Sequence, residues 1–424
     1  MALYTSLEAV KDEIAKCMKC GNCQAVCPIY LEERIEGTVA RGKIKLVETL
    51  LDNKLEVNEE YAKKLDLCLT CKACSVNCPC GVQVDKIILG ARAEIARRKG
   101  ISPIKKLIFK GLENQKLLNV GAKAGGFFQG IVFKKHKTLS GAHPRFPFGL
   151  DLRRIIPNLA TTPLRDKLPE VNKVKNPVKK VAFFTGCTMN YAYIDVGEAL
   201  VNVLLKNNIE VIIPKNQHCC GTPILTSGDA ETATKMAKSH IDIFSALDVD
   251  KIITGCGSCG MTFNKNYLDL LEAEPEYYEK AKKIAAKVID ISDFLMTEID
   301  IDKSKLGKVD MKVTYHDPCH LNRGMGVKNP PREIIKSIPG IDFIEMKNAD
   351  RCCGGAGSFT LSHYELSMNI HKHKVDSIKD TKAEAVITAC PACMMQITDG
   401  MNRFELELPI YHIIQLLDMS YKAK

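Results

Sequence analysis

Three kinds of hydrophobic pattern follow one another along the chain. In residues 39–67, Ile44, Val47, Leu50 and Leu51 recur at helical spacing, which predicts helix with one buried stripe. Residues 102–118, SPIKKLIFKGLENQKLL, predict an amphipathic helix opened by Ser102-Pro103. The apolar run that follows, GGFFQGIVF, is short, and no uninterrupted apolar stretch approaches the roughly 20 residues of a membrane span. Gly and Pro then thicken over 140–149 and 156–177, which reads as a linker. From Val181 onward the pattern changes again. Short runs rich in Val and Ile, such as KKVAFF, IEVIIP and KIIT, alternate with helical stretches. That alternation predicts parallel α/β units.

The last part of the chain is a repeat. KKVAFFTGC, IEVIIPK and KIITGCGSC in the first unit answer to MKVTYHDPC, IDFIEM and AEAVITACPAC in the second. Each unit closes alike, with KVIDISDFLM in one and LPIYHIIQLL in the other. Cys187 to Cys319 is 132 positions, Cys219 to Cys352 is 133, and Cys256 to Cys390 is 134. The predicted organisation is α+β and multidomain: a helical cysteine-rich domain over 1–100, a basic linker or docking segment over 101–180, and tandem α/β units over 181–305 and 306–424. In parallel sheets ligands gather beyond the carboxyl ends of strands, where the repeat cysteines fall.

Charge sharpens the picture of the middle segment. The net charge is +10, yet residues 91–180 alone carry 21 Lys/Arg against 5 Asp/Glu. A basic helix around Lys105–Lys116 is either a solvated face over a core, or a dock for a partner protein or an anionic membrane surface. Nucleic acid is not expected, because no aromatic-interleaved RNA motif, zinc finger or helix-turn-helix pattern is present. The chain holds 19 cysteines, an odd number, and its first 17 residues lack the basic and apolar regions of a secretory leader. These features point to reduced thiols that hold metal, and to a cytoplasmic location, with the inner membrane face as a further expectation.

The runs CMKCGNCQAVCP and CLTCKACSVNCP both fit C-x2-C-x2-C-x3-C-P, the bacterial ferredoxin run for [4Fe–4S] clusters. In that run three thiolates cap one cube and the fourth closes the other. Cys17, Cys20, Cys23 and Cys78 are therefore expected at one cluster, and Cys68, Cys71, Cys74 and Cys27 at the second. Structural zinc is the weaker reading, since zinc sites favour paired knuckles of four ligands. Cys80 is left over, either a small buried residue or a further thiol of the site.

Each repeat carries five thiols: Cys187, Cys219, Cys220, Cys256 and Cys259 in the first, and Cys319, Cys352, Cys353, Cys390 and Cys393 in the second. The adjacent pairs are poor disulfides. Consecutive Cα atoms stand about 3.8 Å apart, and an unstrained bridge spans roughly 4.4–6.8 Å. Gly221 and Gly354 follow the pairs, as a tight turn or a close approach to metal requires. One iron–sulfur cluster per unit is expected; zinc or copper would also suit thiolates.

This five-thiol pattern resembles the CCG cysteine-rich domain, in which a tandem pair follows a two-cluster ferredoxin domain. The chain is similar to the iron–sulfur subunits of glycolate oxidase and lactate-utilisation dehydrogenases. It is similar also to the cluster-bearing CCG components of anaerobic glycerol-3-phosphate dehydrogenase and of heterodisulfide reductase. The wide, helix-filled spacing of the ferredoxin runs resembles succinate dehydrogenase iron–sulfur subunits. The resemblance implies an electron-transfer subunit that takes electrons from an FAD-binding 2-hydroxy-acid dehydrogenase partner. A quinone, an electron-transfer flavoprotein or another carrier would receive them. It implies two cubane clusters and one or two further clusters in the repeats, non-cubane forms among them. The alternative it allows is a disulfide reductase, with cleavage at a repeat cluster and His320 as candidate proton donor. No Rossmann or Walker fingerprint is present, so no flavin is expected on this chain.

Other residues carry weaker signals. His316, His320 and His218 neighbour cluster cysteines and would tune a cluster or relay a proton. His240, His371 and His373 are expected on solvated helix faces. Arg323 and Arg332 are expected on a surface loop, open to an anion.

Overall fold

The computed structural model describes residues 4, 6–147 and 149–424. The expected absence of a leader and the expected linker touch residues 1–3, 5 and 148, and there lie outside the described residues.

The first hundred residues pack as short helices around one apolar stripe. Ala40–Leu51 and Glu59–Asp66 lie between the cysteine groups, and Val84–Lys99 lies after them. Ile44, Val47 and Leu50 face inward onto Ile87 and Ile88, all essentially buried. The segment expected as helix over 39–67 is broken in two. Asn53 takes a left-handed conformation, and the Asn58 side chain caps the second helix by accepting from Tyr61 N at 2.8 Å.

Residues 101–180 form helices Pro103–Glu113 and Gln115–Val132. A hairpin follows, of β1 (Phe133–Lys135) and β2 (Ala142–Pro144). Part of the expected linker is built into the first repeat. β3 (Val171–Asn172) joins its sheet antiparallel, and Leu164 is fully buried against Gly197. A two-residue strand between prolines has no periodicity to read.

The first repeat consists of β4 (Lys179–Phe184), β5 (Ile209–Ile212), β6 (Lys251–Thr254) and β7 (Val288–Asp290). The second consists of β8 (Met311–His316), β9 (Ile341–Phe343), β10 (Ala385–Thr388) and β11 (Ile410–His412). The sheets run β3-β5-β4-β6-β7 and β11-β10-β8-β9. Without the edge strand β3, the two orders are the same. All these neighbours are parallel. Helices cover both faces, so the central strands are continuous buried runs such as Val181–Phe184 and Ala385–Thr388.

The two repeats close on each other. The C-terminal helix Ile413–Lys422 lies against the helix Ile194–Lys206, where Gln415 donates to Asp195 at 2.7 Å. At the carboxyl ends of the strands, the helix Gly257–Met261 crosses the wide turn His320–Met325. A Cβ on Gly257 would stand 2.7 Å from Leu321 N, and one on Gly324 would stand 2.7 Å from Met261 Sδ. Side chains at these positions would hold the repeats apart.

Candidate functional site

Every repeat cysteine sits beyond a strand end, in the loop that follows or in the first turn of the next helix. Cys187 follows β4 and Cys319 follows β8, while Cys256 and Cys390 follow β6 and β10 and open helices. The vicinal pairs come in on the loops after β5 and β9. Gly221 and Gly354 have φ of +85° and +83°, so both pairs end in the same left-handed turn. Eight of these ten thiols are buried, Cys187 and Cys319 being half-buried.

Within the first repeat, Cys187 Sγ stands 3.9 Å from Cys219 Sγ. Cys220 contacts Cys219 and Cys259, and Cys259 contacts Cys256. The second repeat reproduces the set: Cys319 with Cys352, Cys352 with Cys353, Cys353 with Cys393, and Cys393 with Cys390. The vicinal neighbour donates to Cys220 and to Cys353, and with a second thiol it holds both below the ordinary thiol value. Two contacts extend the line. Cys256 Sγ lies 3.7 Å from Cys390 Sγ across the repeat seam, and Cys71 of the helical domain contacts Cys352.

In the helical domain one cavity is lined by Cys17, Cys20, Cys23 and Cys78, with Cys74 and Cys80 on its wall. A second is lined by Cys27, Cys68, Cys71 and Cys74, together with Lys43, Lys72 and Asp85. Burial pushes Cys27 up to about 11 and Cys74 well above the ordinary thiol value. Such thiols lose their protons when a metal takes the sulfur. Lys43 supports an anionic occupant. It is buried and donates only to the carbonyls of Thr38 and Leu67, with no carboxylate partner among the described residues. Lys374 is placed likewise beside the second vicinal pair, donating to Asn348 O at 2.8 Å and Ala349 O at 2.9 Å. Its burial lowers it to about 8. Clustered thiols beside uncompensated cations fit thiolate-ligated iron–sulfur clusters, which carry net negative charge.

Comparison with known proteins agrees with this chemistry. The family described as "Cysteine-rich domain" matches residues 181–264 and 313–398. The "4Fe-4S dicluster domain" matches residues 13–82. The "Probable glycolate oxidase iron-sulfur subunit" of Bacillus subtilis (strain 168) is 33% identical over 97% of this chain and 94% of its own. The chain belongs to the CCG iron–sulfur family. A component of the dihydromethanophenazine:CoB–CoM heterodisulfide reductase of Methanosarcina acetivorans is 27% identical over 96% of this chain and 93% of its own length. Lactate utilization protein A of Bacillus subtilis (strain 168) is 30% identical over 56% of this chain and 99% of its own. Among solved structures, a hypothetical protein from Helicobacter pylori aligns with a TM-score of 0.54 at 11% identity. It covers 91% of this chain and 68% of that one, and shows the fold alone. As a CCG protein with a dicluster domain, the chain carries multiple [4Fe–4S] clusters.

Several side chains of this CCG protein are placed otherwise than expected. His240 and His371 are fully buried rather than solvated. His371 Nδ1 donates to Cys353 O at 2.6 Å. In the first repeat the matching contact passes through a phenol: His240 Nδ1 lies 2.9 Å from Tyr267 Oη, which donates to Cys220 O at 2.9 Å. His218 is buried too and packs on the His240 ring at 3.8 Å between centroids. His373 is half-exposed, on Glu32.

Arg323 and Arg332 are not on an open loop. Arg332 grips Asp317 and Glu345 with two hydrogen bonds each. Arg323 donates to Cys71 O and to Asp350. His320 Nε2 reaches Thr70 O at 3.2 Å, and its Nδ1 lies 2.9 Å from Ser258 Oγ. It thus joins the helical domain to both repeats, and both its nitrogens are engaged. His412, which carries no sequence signal beyond the repeat, donates from Nε2 to Gly255 O at 3.0 Å and so positions Cys256 from the other repeat.

Proposed function

We propose that this chain is the iron–sulfur electron-transfer subunit of a flavin-dependent 2-hydroxy-acid dehydrogenase complex, acting on a substrate of the lactate or glycolate class. The observation that carries this reading is the unbroken line of thiols. It runs from Cys187 through Cys256 and Cys390 to Cys352 and Cys71. When bound, iron–sulfur clusters accept and release single electrons. In this reading Cys17, Cys20, Cys23 and Cys78 hold one cluster, and Cys27, Cys68, Cys71 and Cys74 hold the next. The five thiols of each repeat hold the others.

The relatives named for glycolate oxidase and lactate utilisation support the substrate class. The alternative, disulfide reduction, finds support in the heterodisulfide reductase relatives. A substrate disulfide needs an open thiol site, whereas Cys256 and Cys390 at the seam are 4% and 2% exposed. Burial favours a conduit. Anaerobic purification of the native complex tests this. A co-purifying flavoprotein, with bleaching of the iron–sulfur absorption on adding lactate or glycolate, is the expected result. Disulfide-dependent reoxidation of the reduced chain without any flavoprotein would reverse the assignment.

The helices over 103–132 support docking at an anionic membrane surface. Their apolar stripes point outward: Ile104, Leu107 and Ile108 on one, Leu117, Val120, Phe127, Phe128 and Ile131 on the other, with Ile104 75% and Phe127 77% exposed. Lys105, Lys106, Lys110, Lys116 and Lys123 flank them. No helix among the described residues is long and apolar enough to cross a membrane. An apolar stripe with cationic flanks suits an in-plane helix. The chain should float with vesicles containing phosphatidylglycerol and not with pure phosphatidylcholine. Phe127→Ser with Ile131→Ser should abolish flotation, and flotation unchanged by these substitutions would exclude the stripe.

A further inference from the structure

The two repeats are matched thiol for thiol, but the wall beside the thiols differs. At the carboxyl end of the first strand of each repeat, Phe184 in one corresponds to His316 in the other. Phe184 is a purely apolar plug. Its ring lies 4.9 Å from Phe263, 5.1 Å from His240 and 6.0 Å from Phe244. It also flanks the thiol site, since a Cβ on Gly186 would lie 3.3 Å from Cys259 Sγ and 3.7 Å from the Phe184 ring.

His316 occupies the same corner of the second repeat. A nitrogen of its ring and the Sγ atoms of Cys353 and Cys393 all lie within 4.8 Å of one another. The imidazole is fully buried; one nitrogen is drawn toward the Ala349 carbonyl, and neither makes a well-formed hydrogen bond among the described residues. The other imidazoles near the thiols each make at least one hydrogen bond: His320 at both nitrogens, His371 on Cys353 O with its Nε2 unpaired, His412 on Gly255 O and His218 on Cys219 O. A buried ring whose nitrogens lack well-formed hydrogen bonds is a costly arrangement unless something absent from the chain itself takes one of them. Two thiols and an imidazole this close together form a mixed sulfur and nitrogen donor set of the kind that iron–sulfur centres accept.

We propose that His316 supplies a nitrogen donor to the iron–sulfur centre of the second repeat, a donor that Phe184 denies to the first. This rests on the reading that the repeats hold clusters. By taking an iron that one of the five thiolates holds in the first repeat, the neutral imidazole makes the second centre the easier of the two to reduce. The duplicated sites are then unlike in potential and in chemistry.

The test is pulsed electron paramagnetic resonance on the anaerobically purified full chain, with histidine selectively labelled with 15N, together with iron and acid-labile sulfide analysis of the same sample. The expected result is strong histidine nitrogen coupling to one centre in the wild type. His316→Phe, which copies the first repeat, should lose that coupling and shift one potential downward while the ferredoxin signals stay. About sixteen irons per chain with no nitrogen coupling, or coupling that persists in His316→Phe, overturns the proposal. About eight irons would instead overturn the repeat clusters on which it rests. Absence of nitrogen coupling in the labelled wild type overturns the proposal even where the variant fails to fold.

Discussion

Asp290 and His412 occupy the same place in the two repeats, each capping the helix after the last strand with its own side chain. Asp290 accepts from Ser292 N at 2.9 Å, yet its other oxygen has no partner among the described residues. Burial pushes its carboxyl up to about 7, against about 3.9 in an unfolded chain. The folded state therefore holds the proton over a wider range. Its contribution to stability is full below about pH 4, falls as pH rises through about 7, and is level beyond. Chemical denaturation of wild type and Asp290→Asn across this range should show a shallower slope in the variant, with Asp399, which burial raises to about 6, supplying part of what remains. Parallel curves would mean that Asp290 is not the titrating group. Single residues are unevenly legible in the sequence. The cysteine spacing makes the chemistry plain, but His240 and His371 read as solvated because polar neighbours mask their stripes. His240 in fact continues Ala233, Met236 and Ala237, and His371 continues Met368 toward Val375. Lys43 and Lys374 give no signal, since nothing local distinguishes a buried lysine from an exposed one.

Elements are more legible than their junctions. Parallel strands, the duplicated order and the position of thiols at strand ends all follow from Val/Ile runs and fixed spacing. The crossing of Gly257–Met261 over His320–Met325 does not, because close approach is a property of two segments distant in sequence. Its energetic weight is measurable with two glycines. Gly257→Ala places a methyl 2.7 Å from a backbone nitrogen and should cost about 1–3 kcal/mol. Gly111→Ala, in an exposed helix with nothing within 4 Å, should gain about 0.5–1 kcal/mol. Equal denaturation midpoints for both variants would remove the tight seam. The two amphipathic helices over 103–132 are legible as helices, but their direction is not. A hydrophobic stripe reports that a face wants cover, and only the fold reveals that no part of the described chain covers it.

At the scale of the whole molecule, the loop after Glu59–Asp66 fastens the helical domain to both repeats. Arg92, 8% exposed, donates to the carbonyls of Leu65, Asp66 and Cys68 within its own domain and to Thr226 O in the first repeat. His320 and Arg323 hold Thr70 O and Cys71 O from the second. Domain order is evident from the cysteine groups; this fastening is not, because backbone carbonyls carry no sequence identity.

That grip on residues 65–71 makes the relay a solid-state device rather than a swinging arm. Electrons have to tunnel across separations fixed when the chain folds, with no diffusive search between internal stations. Internal electron redistribution after flash reduction should therefore keep its rate in increasing glycerol, while delivery from an outside donor slows with viscosity. A viscosity-dependent internal phase would mean that the loop lets go during turnover.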